Sequence, residues 1–300
     1  MFPIRDHNPS DNTPFVTWGL IAANVIVFLL YFPQLASSPP QLMAFYNEWA
    51  LIPANAAQGI DSHTLVTSMF LHGGWLHLIM NMLFLYIFGD NIEDLLGHIG
   101  YLIFYLAGGV AAAFVQMISD PSSAVPVVGA SGAIAGVMGG YLLMFPRARV
   151  DILVFLVVFI RIFTLPAWII LAIWFALQLV NGAAAGTGGE GGVAYWAHAG
   201  GFVAGVILLL PAWLKRGGPD FWTQTHGTPP HAETRPTFRG VSPRDPFEDG
   251  PIRSLREDRG AMPLRGAAGA GRLSASRIPR SGRTTPPTPP PRRGPWSGGS

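Results

Sequence analysis

The chain has 300 residues, 50% hydrophobic and 12% charged, with a mean hydropathy of +0.36 and a formal net charge of +2. Soluble domains carry roughly a quarter charged residues, so this deficit places the chain in the membrane class. It has no cysteine, which excludes disulfides, thiolate nucleophiles and cysteine-ligated zinc.

Residues 1–14, "MFPIRDHNPSDNTP", hold one arginine and two aspartates ahead of the first apolar run. They lack the basic start and small-residue cleavage site of a secretory signal and are too acidic for a transit peptide, so they read as a retained cytoplasmic segment. A membrane-crossing helix needs roughly 20 mainly apolar residues. The stretches at about 15–33, 74–90, 99–118, 130–145, 165–181 and 198–214 qualify, which predicts an all-α polytopic protein with six spans. Residues 150–180 as one helix would run roughly 46 Å, against a hydrocarbon core of about 30 Å. Arg161 and Pro166 interrupt that run, so 150–163 reads as an interfacial or partly buried segment.

Basic residues set the orientation. Of the 19 Lys and Arg, only Arg5, Arg147, Arg149 and Arg161 precede position 215, and the linkers 34–73, 119–129 and 182–197 have none. Arg147 and Arg149 follow the fourth span, and Lys215 and Arg216 follow the sixth. Both termini are therefore expected on the cytoplasmic side. From 217 to 300 the chain turns to Pro, Gly, Ser, Thr and Arg, as in "RTTPPTPPPRRGPWSGGS". Such a composition buries too little apolar surface to offset its ordering entropy and predicts a disordered cytoplasmic tail. Weak contacts of that tail with anionic lipid or polyproline-binding modules fit its arginines and prolines.

Polar side chains inside spans are costly, and each is a functional candidate. Ser131, in Gly129-Ala130-Ser131-Gly132, stands where a helix begins, beside backbone N–H groups without intrahelical partners. Such donors can hold a developing oxyanion. Gly132, Gly136 and Gly140 recur every four residues and bare one helix face. The plain structural alternative is a small serine at a helix contact. His198 heads the sixth span, and Ala197, Gly201 and Gly205 bare a second face. Two bare faces can bring a hydroxyl and an imidazole within the 2.6–3.2 Å of a hydrogen bond. Alone, His198 would read as an interfacial helix end. His77 and Asn81 lie four apart on one face of the second span, near His72, and suit either oxyanion donors or interhelical bonds. No H-E-x-x-H occurs, and apart from Asp90 at the very end of the second span no carboxylate lies in the spans to complete a triad, so a Ser–His dyad oriented by packing is expected, with no metal and no cofactor.

These motifs together resemble the rhomboid intramembrane serine proteases: G-A-S-G before a glycine-stepped helix, A-H-x-G-G-x-x-x-G later, and H-x-x-x-N earlier. "GDNIEDLLG" is similar to that family's G-x-x-x-E-x-x-x-G turn, through Gly89, Glu93 and Gly97. The resemblance covers about residues 10–216 and implies a six-helix core at 15–216. It implies Ser131 as nucleophile, His198 as general base, and His77, Asn81 and the Ser131 backbone as oxyanion donors. Gly129 and His72 join them as supporting residues, His72 behind the long first loop at 34–73. Some rhomboids place an aromatic residue four positions after the serine, against the catalytic ring. Here that position is Ala135, which leaves Tyr195 or Trp196 as candidates for the task.

The implied activity is endopeptidase cleavage in or near the transmembrane helices of other proteins. The partners are those substrates and the bilayer, not nucleic acid, and the expected location is a bacterial plasma (inner) membrane. An inactive client-binding relative would usually lack the serine or histidine, and a transporter would show charged or broken helices in paired halves. Neither pattern is present.

Overall fold

The computed structural model describes residues 2–8, 10–156, 159–185 and 193–229, all within one unit of the chain, 1–237. In chain order it contains β1 (Phe2–Asp6), α1 (Phe15–Leu35), α2 (Pro39–Trp49), α3 (Pro53–Ala56), α4 (Thr64–Thr67) and a 3-10 turn (Ser68–Phe70). Then come α5 (Trp75–Ser119), α6 (Ser131–Met144), β2 (Arg149–Leu156), β3 (Phe159–Pro166), α7 (Ala167–Ala185), α8 (Tyr195–Lys215) and α9 (Pro219–Thr225).

Helices α1, α5, α7 and α8 are long and apolar enough to cross a membrane, and α6 is apolar but shorter, at 14 residues. A straight α5 of 45 residues would reach about 67 Å, twice the hydrocarbon thickness. It breaks at Gly97, whose φ of 71° and ψ of 165° fall outside helical geometry. That left-handed φ favours glycine, and it divides α5 within the linker expected at 90–98.

Glu93 anchors this turn. Its buried carboxylate accepts hydrogen bonds from the backbone N–H groups of Val16 (2.9 Å) and Thr17 (2.8 Å) and from the Thr17 hydroxyl (2.7 Å). The N-cap of α1 is Pro14, which has no capping side chain. Glu93 therefore caps α1 from another helix, where a negative charge also suits the dipole. His98 Nδ1 lies 2.6 Å from the same carboxylate. Asp94 accepts the N–H groups of Asp11 (2.6 Å) and Asn12 (3.1 Å).

The all-α expectation needs correction: the chain is mostly helical, with a three-stranded antiparallel sheet in the order β1-β2-β3. The described residues of segment 150–163 lie in β2 and β3, paired from Arg149↔Pro166 to Leu156↔Phe159. Its run of Val, Ile, Phe and Leu has no helical period, and β-branched residues favour a pleated, half-buried surface. The N-terminal segment supplies the third strand, pairing Phe2↔Leu153 through Asp6↔Val150. Val150 and Ile152 turn into the protein. Asp151 accepts hydrogen bonds from the Thr164 hydroxyl (2.6 Å) and lies 2.8 Å from His7 Nε2. Burial pushes the Asp6 carboxyl up to about 6, against the opposing effect of hydrogen bonds from Asn8 and Tyr141.

Order also continues beyond 216, where the tail was expected to begin. Phe221 on α9 is buried, the Trp222 indole N–H donates to the Leu143 carbonyl (2.9 Å), and the Arg147 N–H donates to the Gly227 carbonyl (2.8 Å). Two aromatic residues give this short segment the apolar surface that the following sequence lacks. The rest of the expected tail, 230–300, lies outside the described residues.

Helices α6 and α8 pack backbone to backbone. A methyl group at Gly201 would run into the Gly132 carbonyl oxygen, and one at Gly205 into that of Gly136. Gly139 is equally tight against the Phe202 carbonyl. Interhelical approach of this kind needs small residues on both partners. It brings the starts of α6 and α8 side by side.

Candidate active site

Ser131 is the first residue of α6, and Gly129 two residues earlier has φ 133°, a conformation that side-chain-bearing residues rarely adopt. The Gly129 N–H donates to the Ser68 carbonyl (2.9 Å), which ties the serine's approach to the 3-10 turn. The same connector pairs with the first loop, Leu51 N–H to Val127 carbonyl (3.1 Å) and Val127 N–H to Leu51 carbonyl (2.8 Å). His198 lies in the first turn of α8, beside Ala197, whose N–H donates to the Gln116 side-chain oxygen (3.1 Å). From these positions Ser131 Oγ and His198 Nε2 meet at 2.7 Å, hydrogen-bonded.

The other imidazole nitrogen, Nδ1, is 2.8 Å from the side-chain oxygen of Gln178 on α7. Gln178 in turn donates its amide to the Trp174 backbone carbonyl (3.2 Å). The ring beside His198 is that of Trp174, with centroids 5.8 Å apart and planes tilted by 34°. These neighbours of the His198 ring belong to α7 and are not Tyr195 or Trp196, the candidates named from the sequence. Trp196 and Tyr195 instead lie against Gly182.

His77 and Asn81 sit one turn apart on α5 and line, with Ser131 and His198, a cavity of about 690 Å³. The Gly73 N–H donates to His77 Nδ1 (3.3 Å), which leaves the ring proton on Nε2. That nitrogen faces Gly129 so closely that a Cβ added there would be 2.8 Å from it and 3.3 Å from Ser131 Oγ. The amide nitrogen of Asn81 is buried and has no partner among the described residues. His72 is fully buried behind them, its ring 5.1 Å from that of His77. Its backbone carbonyl accepts from the hydroxyls of Tyr31 (2.6 Å) and Tyr46 (3.2 Å), tying α1 and α2 to the start of α5.

A hydroxyl bonded to an imidazole nitrogen, beside a helix start and two further N–H donors, can pass a proton and hold negative charge. Among the described residues, no three His, Asp or Glu are grouped to hold a metal. A family model described as Rhomboid domain matches residues 61–215, just over half of the chain. The chain belongs to the rhomboid family.

Several curated proteins are similar to it. The presenilin-associated rhomboid-like protein of Homo sapiens, named as mitochondrial, is 30% identical over 163 residues, 54% of this chain and 39% of its own length. Rhomboid-like protein 11 of Arabidopsis thaliana, named as chloroplastic, is 45% identical over 74 residues, 25% of this chain and 26% of its own. The mitochondrial RHOMBOID-like protein 6 of the same plant is 39% identical over 85 residues, 28% and 27%. The chain spans about two-fifths or less of the length of these relatives. Family and apolar helices together make this rhomboid a multi-pass membrane protein.

Sequence reasoning missed Gln178 and Trp174. Gln178 lay in plain view as the one amide inside the 165–181 span, which ends on Asn181, and an uncompensated polar group there is expensive.

Proposed function

We propose that this rhomboid is an intramembrane serine endopeptidase that cleaves peptide bonds in or near the transmembrane helices of other membrane proteins. Ser131 Oγ attacks the scissile carbonyl carbon while its proton passes to His198 Nε2. The oxyanion of the tetrahedral intermediate takes hydrogen bonds from His77 Nε2–H, the Asn81 amide and the N–H at the start of α6. The imidazolium then gives its proton to the leaving amine, and water cleaves the acyl-enzyme by the same steps. A helical substrate has its carbonyls engaged in its own hydrogen bonds, so it must unwind locally first.

The observation that carries this reading is the 2.7 Å bond between Ser131 and His198, made inside an apolar bundle and opening on the cavity. Six spans fit the same reading: α1, the two halves of α5, α6, α7 and α8. Arg147, Arg149, Lys215 and Arg216 then face the cytoplasm of a bacterial cell, with both termini. The expected water route along 182–197 falls partly outside the described residues, at 186–192. The test is a serine-directed fluorophosphonate on the protein in liposomes with a fluorogenic transmembrane substrate. Wild type should label and cleave, and Ser131→Ala and His198→Ala should do neither. Cleavage retained in either variant removes the dyad.

A further inference from the structure

Gln178 belongs to the buried stripe of α7, with Ala167, Leu171 and Gly182. It reaches across to α8 and makes the 2.8 Å contact with His198 Nδ1. We propose that Gln178 is the positioning residue of the site: it fixes the His198 tautomer, and the Trp174 backbone carbonyl fixes Gln178. The inference rests on the Ser131–His198 reading above.

Donor and acceptor chemistry fixes the orientation of the Gln178 amide. A backbone carbonyl can only accept, and its two lone pairs allow it to serve a side chain besides the helix. Only the amide nitrogen of Gln178 can therefore face Trp174, at 3.2 Å. A flipped amide would set two carbonyl oxygens against each other. The Gln178 oxygen consequently faces His198, and because it too can only accept, Nδ1 must carry the ring proton. Neutral imidazole has one such proton, so Nε2 is left with its lone pair toward the Ser131 hydroxyl, 2.7 Å away. One α7 carbonyl thus sets the polarity of the whole row, from Trp174 through Gln178 and His198 to Ser131.

A carboxylate could give the same tautomer, but burying a charge between apolar helices is costly. An amide orients the ring without that charge. It holds the Nδ1 proton in place and takes none itself, since the serine proton enters and leaves at Nε2. The competing role, plain adhesion of α7 to α8, would stabilise the bundle without selecting a tautomer.

The experiment uses the full chain in liposomes with Gln178→Met and Gln178→Glu. Methionine keeps the length and lacks the acceptor. Glutamate keeps an oxygen toward Nδ1 in either charge state, and when protonated its hydroxyl can donate to Trp174 as the amide did. Gln178→Met should lose about 10- to 1,000-fold in kcat with KM changed by less than about twofold, and Gln178→Glu should recover most of the loss. Wild-type kcat in Gln178→Met, or equal losses in both variants, overturns the proposal. A second measurement does not depend on variant folding. In histidine ¹⁵N spectra of wild type, with the His198 signals assigned by their absence in His198→Ala, Nδ1 should be the protonated nitrogen. A proton on Nε2 overturns the proposal. If wild type fails to label with fluorophosphonate, the dyad falls, and the tautomer still decides Gln178 by itself.

Discussion

The two ends of the bundle are held by opposite means. At the seam of α6 and α8, position comes from what is missing: Gly132, Gly136, Gly201 and Gly205 carry no side chain, and backbones touch. At the α5 turn and the N-terminal strand, position comes from what is present: Glu93, Asp94, Asp6 and Asp151 each take hydrogen bonds from another segment. A contact made of absent atoms tolerates no addition. A contact made of hydrogen bonds tolerates shape changes but not the loss of an acceptor. The site stands on the first kind, where displacement of a helix by 1 Å separates hydroxyl from imidazole.

Breaking the seam should have the largest effect. Gly205→Val drives a side chain into the Gly136 carbonyl, and such overpacking costs about 1–3 kcal/mol or more. Turnover should fall to background while a lowered unfolding midpoint in detergent reports the strain; wild-type turnover would mean that the seam does not position the serine. Next in size, Asn81→Ala should lower turnover about tenfold to a thousandfold, the range for removing one oxyanion donor. An unchanged rate would assign Asn81 to packing.

At the other end the effects should appear in stability rather than chemistry. Glu93→Ala strands the part-buried N–H of Val16 and the buried N–H of Thr17, at about 1–3 kcal/mol for the buried group. Denaturant unfolding should show the loss, with turnover per folded molecule unchanged. The smallest effect concerns pH. The folded-state value of Asp6 is raised from 3.8 to about 6, so its contribution to stability is complete below 3.8 and disappears as pH rises through about 6. Amide-exchange protection of β1 should weaken over that window in wild type and lose this pH dependence in Asp6→Asn.

How far each end could be read in the sequence follows the same division. Small residues at four-residue spacing have a definite period, so the approach of α6 to α8 was visible in Gly132, Gly136, Gly201 and Gly205. The break in α5 was visible in the polar linker that contains Gly97. The sheet was not, because 149–166 is largely apolar, its Arg149, Asp151, Arg161 and Thr164 making neither a 3.6-residue nor a clean two-residue alternation. Its edge partner, Phe2–Asp6, lies far away in sequence, and strand pairing across such a distance leaves no local pattern. The Gln178 contact joins α7 to α8, and nothing in either segment alone states which neighbour the amide will meet. Phe221 and Trp222 hid the end of order by lying inside a Pro- and Gly-rich stretch.

The first loop is tied by main chain to the connector that precedes Ser131. Residues 51 and 54 and the carbonyl of residue 68 are joined by backbone bonds to 127, 123 and 129, the short connector that leads to Ser131. A change in the length of that loop would therefore be felt in the main chain at Gly129, two residues before Ser131.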